Sequence, residues 1–458
     1  MTQKEVKKVT LSGILSWVFG IIFGLAGLGA FISSSFIGGF VMLILSAVLN
    51  SIKILKSDKS WYSHVKSLTF STPVGRVVIG GIGNDFHMEN ATIIIDLGGN
   101  DYYIGRIASG VEGRCSIVID ISGNDSYIGN DLTQGAGFWG IGILADLNGN
   151  DLYRSINISQ GAGYFGMGLL IDMEGDDNYI GGEFVQAASL FGVGGIIDGE
   201  GNDNYKCLSK GQAYASVAGI SCLTDYEGND SYIALGSRPD PREPDMSQSL
   251  AQGFSFGLRD IAGGGIGMLI DGGGNDSYLC RYFGQGASYW MGIGILYDED
   301  GKDIYNARRY AQGAGIHYSM GIFIDVQGND RISSWAVSQG CGHDYGVGIM
   351  INGSGDDYYN SDWLSMGASE ANGLGIFSDN MGDDGYDLKG SGMGSGRLIP
   401  SRRAGGIGIF IDSGGNDRYL RRGANDTIWS DNPWSVGIDM GKNAESGINL
   451  VFEKKGPY

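Results

Sequence analysis

The chain has 458 residues, of which 82 are glycine, and its 51 acidic residues outnumber 31 basic ones to give a formal net charge of −20. This charge disfavours nucleic acids and other polyanions as partners. The five cysteines are scattered without a Cys-x-x-Cys pair, which is typical of small buried residues in a reducing compartment rather than of a disulfide framework.

The N-terminus is the most apolar part of the chain. No charged residue occurs from 9 to 52, where two apolar blocks, 11–32 and 40–49, flank a short Ser/Gly-rich break. Blocks of this length predict an α-helical transmembrane hairpin within residues 1–55. A cleaved signal peptide is the alternative, because lysines precede the first block, but the second apolar block argues against it.

Lysines flank the predicted hairpin on both sides and are missing from its connecting loop. They are Lys4, Lys7 and Lys8 before it, and Lys53, Lys56, Lys59 and Lys66 after it. The positive-inside rule then puts both ends of the hairpin in the cytoplasm, so the rest of the chain is predicted to face the cytoplasm from a membrane anchor. A cell-surface location is the alternative, since weak calcium modules work outside the cell.

A repeated octapeptide organises the chain after a predicted linker and N-terminal cap at 56–76. The motif Asp-x-x-Gly-Asn-Asp-x-Tyr has thirteen copies between Gly80 and Tyr419, mostly 26 or 27 residues apart. Gly at position four and Asp at position six occur in every copy. Position one deviates at Gly80 and Asn352, and position eight deviates at His87 and Ile332. Such a period is typical of a solenoid in which each repeat is one coil.

Two further signatures keep the same period. Gln-Gly-Ala-Gly or a close variant begins at Gln134, Gln160, Gln285 and Gln312, and short apolar runs such as 140–145 lead into each acidic turn. Runs of this length, bounded by Gly and Asp, predict buried strands rather than helices. The array at 77–425 is therefore predicted to be all-β, a parallel β-helix (solenoid) of about 13 coils and on the order of 60 Å long.

Stacked coils bring equivalent aspartates into columns, and like charges about 5 Å apart repel one another. One solution is local, with Asp and Asn side chains accepting backbone N–H groups in Asx turns. The other is a cation between turns, and hard oxygen donors favour Ca2+. The candidate metal ligands are Asp96, Asp101, Asp120, Asp125, Asp146, Asp151, Asp172, Asp177, Asp198, Asp203, Asp225, Asp230, Asp271 and Asp276.

The repeated turn resembles the nonapeptide of the repeats-in-toxin family, Gly-Gly-x-Gly-x-Asp-x-hydrophobic-x. Residues 80–87 read Gly-Gly-Ile-Gly-Asn-Asp-Phe-His and match through the Asp, and later copies keep Gly, Asp and mostly Tyr at positions four, six and eight. The resemblance implies a β-roll with calcium between successive turns. Here about eighteen other residues separate the copies and position one is usually Asp, so the resemblance covers the turn and not the whole coil.

The regular spacing fails at two places. An insertion at 234–252 is polar and proline-rich, and a loop that projects from a rigid scaffold is a favoured place for binding. The candidate partner-binding residues are Arg238, Asp240, Arg242, Glu243 and Asp245. Arginines gather between 397 and 422, and the segment 426–458 is predicted to be a C-terminal cap that hides the last open edge.

These features predict a membrane-anchored structural or interaction scaffold, with calcium as a candidate stabiliser and a protein or glycan as the candidate partner. The alternative is a glycan-binding or polysaccharide-acting β-helix, because a column of aromatic residues follows the coils and this fold class hosts such enzymes. We predict that the protein is not an enzyme. Its carboxylates are repeated, whereas catalysis depends on residues that break a repeat, and no nucleophile elbow, phosphate loop or metalloprotease motif is present.

Overall fold

The computed structural model describes residues 67–73, 75–88, 91–400 and 403–441. Every regular element in these ranges is a β-strand, and the strands stack coil upon coil into a parallel β-solenoid. Each complete coil contributes one strand to sheet 1, turns through the Gly-Asn-Asp motif into sheet 2, and returns past the Gln corner and a short sheet 3 strand to the next coil.

Sheet 1 has 16 strands that pair in parallel except at its two ends. In spatial order the strands are Leu68–Thr72, Gly75–Ile79, Ile93–Ile95, Cys115–Ile119, Ile141–Ala145, Met167–Ile171, Val193–Ile197, Ile220–Asp225, Ile266–Asp271, Ile293–Asp298, Met320–Asp325, Val347–Asn352, Leu374–Asp379, Ile407–Asp412, Ser435–Asp439 and Ile428–Trp429. An antiparallel strand covers each end, which stops the parallel stacking of further chains at an open edge.

Sheet 2 has 13 parallel strands, one for each copy of the octapeptide. They are Phe86–His87, Tyr102–Ile104, Ser126–Ile128, Leu152–Arg154, Asn178–Ile180, Asn204–Cys207, Ser231–Ala234, Ser277–Leu279, Ile304–Asn306, Arg331–Ser333, Tyr358–Ser361, Gly385–Leu388 and Arg418–Tyr419. The count confirms the predicted solenoid of about 13 coils.

Sheet 3 consists of two-residue strands on the side that leads back to sheet 1. They are Gly110–Val111, Gly137–Phe138, Gly163–Tyr164, Ser189–Leu190, Ser255–Phe256, Ser288–Tyr289, Gly315–Ile316, Gly342–His343, Ser369–Glu370 and Gly396–Arg397. Three short strands, Asp131–Thr133, Asn157–Ser159 and Glu183–Val185, stack beside the Gln corner. A further three-stranded sheet is made by Arg238–Asp240, Glu243–Ala251 and Tyr282–Gly284.

The largest core cluster lies between sheets 1 and 2 and follows the whole array as a continuous column of residues. Alternate side chains point inward because strand side chains have a period of two. Inward positions of sheet 1, such as Leu144 and Leu170, meet the inward tyrosines of sheet 2, such as Tyr153 and Tyr179, and all four are fully buried. Tyr153 and Tyr179 stack with 4.7 Å between ring centroids, which is close to the spacing of neighbouring strands.

The strict glycine of the motif has a steric cause. A Cβ built on Gly149 would lie 1.5 Å from the carbonyl oxygen of Gly123, its equivalent in the preceding coil. The corresponding distance is 1.6 Å from Gly201 to the carbonyl oxygen of Gly175. Gly83, in the first coil, has no heavy atom within 4 Å of such a Cβ. Position four is therefore restricted to glycine by the backbone of the coil beneath it.

The predicted fold class needs one correction, because no α-helix accompanies the solenoid in the described ranges. None of those residues belongs to a helix with the length and hydropathy needed to cross a membrane. The apolar runs there are strands of five or six residues between Gly and Asp, too short for a spanning helix. The predicted helical transmembrane hairpin, residues 1–55, lies outside the described residues.

Candidate metal centre

Two columns of aspartates follow the edge where sheet 1 turns into sheet 2. We call motif position one the strand-end column and position six the turn column. The strand-end column contains Asp96, Asp120, Asp146, Asp172, Asp198, Asp225, Asp271, Asp298, Asp325, Asp379 and Asp412. The turn column contains Asp85, Asp101, Asp125, Asp151, Asp177, Asp203, Asp230, Asp276, Asp303, Asp330, Asp357, Asp384 and Asp417. All the aspartates predicted as metal ligands lie in these columns.

Both columns lie inside the solenoid. Every strand-end aspartate is 0% exposed, and the turn aspartates from Asp101 to Asp384 are at most 3% exposed. An ionised carboxylate that loses its water in this way needs hydrogen-bond donors or a counter-ion. The hydrogen-bond partners of the individual carboxylate oxygens therefore show which oxygens still need a proton or a cation.

The turn column joins successive coils through one oxygen of each carboxylate. The backbone N–H of Asp125 donates to Oδ1 of Asp151 over 2.6 Å, and that of Asp151 donates to Oδ1 of Asp177 over 2.6 Å. The same bond recurs along the array from Asp85 to Asp417. The second oxygen has no donor in most coils. Those without one are Oδ2 of Asp101, Asp125, Asp151, Asp177, Asp203, Asp230, Asp276, Asp303, Asp330, Asp384 and Asp417.

The strand-end column is held by the tyrosines of sheet 2. The hydroxyl of Tyr127 donates to Oδ2 of Asp146 over 2.6 Å, and the hydroxyl of Tyr153 donates to Oδ2 of Asp172 over 2.6 Å. The other strand-end oxygen, Oδ1, has no donor in six coils. These atoms belong to Asp172, Asp198, Asp225, Asp298, Asp325 and Asp379.

The two exceptions to the Tyr–Asp pattern support this pairing. Ile332 replaces the tyrosine in one coil, so no hydroxyl donor is present at that position. A tyrosine at 332 would donate to the strand-end residue of the next coil, and that residue is Asn352 instead of Asp. His87 replaces the first tyrosine, and its Nε2 still contacts Oδ2 of Asp96 at 2.6 Å. Sequence reasoning missed this pairing, although the coincidence of the exceptions in neighbouring coils was a visible signal.

Burial raises the pKa of the turn carboxyls, and neighbouring carboxylates add to the effect. The pKa is about 7 for Asp101, about 8 for Asp125 and about 10 for Asp203. Burial also raises the pKa of strand-end residues such as Asp172 and Asp225 well above the usual range. A carboxyl with such a pKa holds a proton at neutral pH unless a cation takes the place of that proton.

The columns approach each other closely enough to share a cation. Oxygen atoms of Asp177, Asp198 and Asp203 lie within 4.8 Å of one another, and equivalent groups recur along the rod. Calcium binds oxygen ligands at about 2.3–2.6 Å, so two of its ligands lie no more than about 5 Å apart, and these groups meet that limit. The donors in such a group are carboxylate oxygens, and the tightly bound water that Mg2+ retains has little room at this burial. The donor set therefore fits Ca2+.

The residues predicted to bind a partner form a hairpin that folds back on the solenoid. Asp240 is 0% exposed and accepts from the backbone N–H of Arg242 over 2.9 Å. Glu243 binds the guanidinium of Arg308 and accepts from the hydroxyl of Tyr282 over 2.9 Å. Arg238 and Asp245, by contrast, are exposed. Asp240 and Glu243 thus have internal partners, and the hairpin is attached to the array.

The aromatic column predicted from the sequence is a surface ladder of stacked rings. Trp139 stacks on Phe165 at 4.6 Å, and Phe165 stacks on Phe191 at 5.0 Å. A second run stacks Tyr318 on Tyr345 at 4.8 Å, with each residue 52% exposed. Because the rings cover one another, the ladder presents mainly ring edges to solvent.

Comparisons with protein-family models, with curated proteins and with solved structures each gave no match. The resemblance to the repeats-in-toxin turn therefore rests on the motif itself and on the stacked aspartates.

Proposed function

We propose that this protein is a non-enzymatic structural and interaction scaffold whose buried carboxylate columns take up calcium ions. The β-solenoid supplies the scaffold, since each coil presents the same backbone and nearly the same side chains as its neighbours. The observation that carries the calcium proposal is the row of turn aspartates that keep a buried Oδ2 without a donor.

Two states satisfy these oxygens, and their energetics differ. Protons satisfy them when each carboxyl is neutral, which the raised pKa of residues such as Asp125 favours in the absence of a metal. A divalent cation satisfies several oxygens together and removes the repulsion between neighbouring carboxylates. Successive groups share aspartates, and each coil supplies one carboxylate to each column, so one Ca2+ per coil balances the charge of its two carboxylates.

The repetition of the carboxylates supports a structural role over catalysis. A general acid and a general base need different environments, whereas Asp151, Asp177 and Asp203 have the same neighbours and the same hydrogen bonds. Glycan binding at the aromatic ladder stays a prediction. The geometry favours it less than the scaffold role, because sugars stack on ring faces and the faces of Trp139 and Phe165 cover each other at 4.6 Å with an interplanar angle of 1°.

A calcium titration of the purified full-length protein tests the proposal. We expect several tightly held ions per chain by metal analysis after dialysis, and a melting temperature that falls by more than 10 °C on chelation. Each ion present at 100 times its dissociation constant stabilises the folded state by about 2.7 kcal/mol. Magnesium at the same concentration should not replace calcium, because Mg2+ retains several waters and is seldom bound by buried protein ligands alone.

Matched variants locate the ions. Asp203→Asn should lower the number of bound calcium ions and reduce the fall in melting temperature on chelation. The reason is that the carboxylate of Asp203 belongs to two neighbouring groups, and both lose it. Asp245→Asn, an equal change of charge on the exposed hairpin, should leave both unchanged. A chain that binds no calcium and melts at the same temperature with and without chelator would show that protons satisfy the columns. A glycan array and a hydrolysis screen on the same protein separate the scaffold from the alternative functions.

A further inference from the structure

A cluster of histidine and carboxylate side chains lies on the sheet 3 side, away from the aspartate columns. Ile316 pairs with His343, which places His317 beside Asp344 in the next coil. The backbone N–H of His317 donates to the carbonyl oxygen of His343 over 3.1 Å, and that of Tyr318 donates to the carbonyl oxygen of Asp344 over 3.2 Å. The two histidines occupy different columns of the sequence repeat, and the stacking of coils brings them together diagonally.

The cluster sits within the run of 27-residue coils. Two residues separate Gly163–Tyr164 from Met167–Ile171, whereas three separate Gly315–Ile316 from Met320–Asp325. The extra residue turns the 26-residue coil into a 27-residue coil. His317 has a φ of 60° and Asp344 a φ of 50°, so both hold the left-handed conformation that non-glycine residues adopt at a cost. The equivalent corner positions Trp290 and Ala371 are left-handed too, so the conformation belongs to the repeat, and it is the side chains of His317 and Asp344 that are particular to this cluster.

The distances around Asp344 suit a shared ion. Its Oδ2 lies 3.3 Å from Nδ1 of His317 and 3.2 Å from Nδ1 of His343. Ligand atoms about 2.1 Å from a tetrahedral zinc ion are separated from one another by about 3.4 Å. The three side chains are 12–16% exposed, so an ion between them would be reachable from solvent.

Glu370 determines which nitrogen of His343 is free. Its Oε1 lies 3.0 Å from Nε2 of His343 and accepts the proton of that nitrogen. In the neutral ring Nδ1 then carries a lone pair, and it has no hydrogen-bond partner. This nitrogen lies 3.2 Å from Oδ2 of Asp344, and either a proton on Nδ1 or a metal cation between the two atoms would relieve the contact between two acceptors. On the other side of Glu370, Nη1 of Arg397 lies 3.7 Å from its Oε2.

We propose that His317, His343 and Asp344 bind a divalent transition-metal ion of the zinc type. The ligands are Nδ1 of each histidine and Oδ2 of Asp344, and Glu370 orients His343 from the second shell as carboxylates do in histidine–zinc sites. Three protein ligands leave a fourth position open to solvent. The nitrogen donors distinguish this site from the all-oxygen columns that suit calcium, and the proposal does not depend on calcium binding there.

Cobalt(II) is the probe for the test, because its visible absorption reports nitrogen ligation and a low coordination number. The purified full-length protein is kept in excess calcium, which occupies the oxygen sites, and is titrated with Co2+ and then with Zn2+. We expect one intense visible band that saturates at one Co2+ per chain and disappears when Zn2+ displaces it. A wild-type protein that shows only the weak spectrum of six oxygen ligands would overturn the proposal.

Variants assign the ligands. His317→Asn and His343→Asn should each weaken Zn2+ binding by at least tenfold, and Glu370→Gln should weaken it by about 10- to 100-fold while the Co2+ band is retained. Tyr345→Phe, an exposed change next to Asp344, should leave affinity and spectrum unchanged. Circular dichroism and the calcium content verify that each variant is folded. An unchanged Co2+ spectrum in the folded His317→Asn, His343→Asn double variant would place the ion elsewhere and refute the assignment.

Discussion

The bond between Tyr153 and Asp172 offers the sharpest test of how the columns are held. The hydroxyl donates to Oδ2 over 2.6 Å, both side chains are 0% exposed, and the other oxygen of Asp172 has no donor. Tyr153→Phe removes the donor and Asp172→Asn removes the charge, and the double variant, like the natural pair Ile332 and Asn352, lacks both. Together the four proteins form a double-mutant cycle.

The expected size of the coupling depends on the charge of Asp172. A buried hydrogen bond to an ionised carboxylate contributes about 1.5–3 kcal/mol, and a bond between neutral groups contributes about 1 kcal/mol. With calcium bound the carboxylate is ionised, so we expect a coupling of about 2 kcal/mol. Without the metal its raised pKa keeps it protonated, and the coupling should fall to about 1 kcal/mol.

Urea unfolding of all four proteins, with calcium and with chelator, measures the coupling free energy. Tyr102→Phe is the control, because Tyr102 is exposed and the same loss of a hydroxyl should change stability by less than about 0.5 kcal/mol. A coupling below about 0.5 kcal/mol in both conditions would refute the role assigned to the tyrosine. A coupling of the same size with and without calcium would refute the proposed change in the ionisation of Asp172.

Three further outcomes follow from the same geometry. Gly149→Ala should lower the unfolding free energy by more than about 3 kcal/mol or prevent folding, whereas Gly83→Ala, at the same motif position, should change it by less than about 1 kcal/mol; thermal melts compare them directly. Gln160→Ala should cost about 2–3 kcal/mol in urea unfolding, because its Nε2 donates to two backbone carbonyl oxygens, over 3.0 and 3.2 Å. Metal-free protein should lose stability as the pH rises from about 4 to about 8. Asp125 has a pKa of about 8 in the folded chain against 3.8 in its unperturbed state. Between these two values the folded chain holds more protons than the unfolded chain, so raising the pH favours unfolding. Melts across this range should show calcium cancelling the loss, and a flat profile without metal would contradict the pKa argument.

The solenoid was predictable because its rules are local and repeated. Glycine at position four, the short apolar runs and the absence of proline from the core strands each restrict the backbone in the same way in every coil. The aspartate columns followed from the period alone, since stacking aligns equal positions. Their burial could not be predicted from the period. A polar turn that contains an Asp such as Asp151 can face solvent or the interior, and only the position of sheet 2 shows that this one is buried.

Contacts between unlike positions could not be predicted in this way. Asp240 and Glu243 lie in a polar insertion that reads as a projecting loop, and their internal partners, Arg242 close by and Arg308 much later in the chain, are visible only once the hairpin folds back. His317 and Asp344 occupy the same column in neighbouring coils, but the third member of their cluster, His343, lies one column earlier. A repeat predicts which positions are aligned, whereas these sites also need residues from other columns or from the insertion.

The pair Ile332 and Asn352 separates the two tasks of the acidic motif. Where the tyrosine is absent, the strand-end carboxylate is absent too, yet the turn aspartates Asp330 and Asp357 remain, with the backbone N–H of Asp330 donating to Oδ1 of Asp357 over 2.6 Å. The turn aspartate is therefore required by the backbone of every coil, and the strand-end aspartate is present where a tyrosine, or His87 in the first coil, holds it. Oδ1 of the turn aspartate accepts the hydrogen bond that joins two coils. Oδ2 has no donor in most coils and can hold a proton or bind a metal ion.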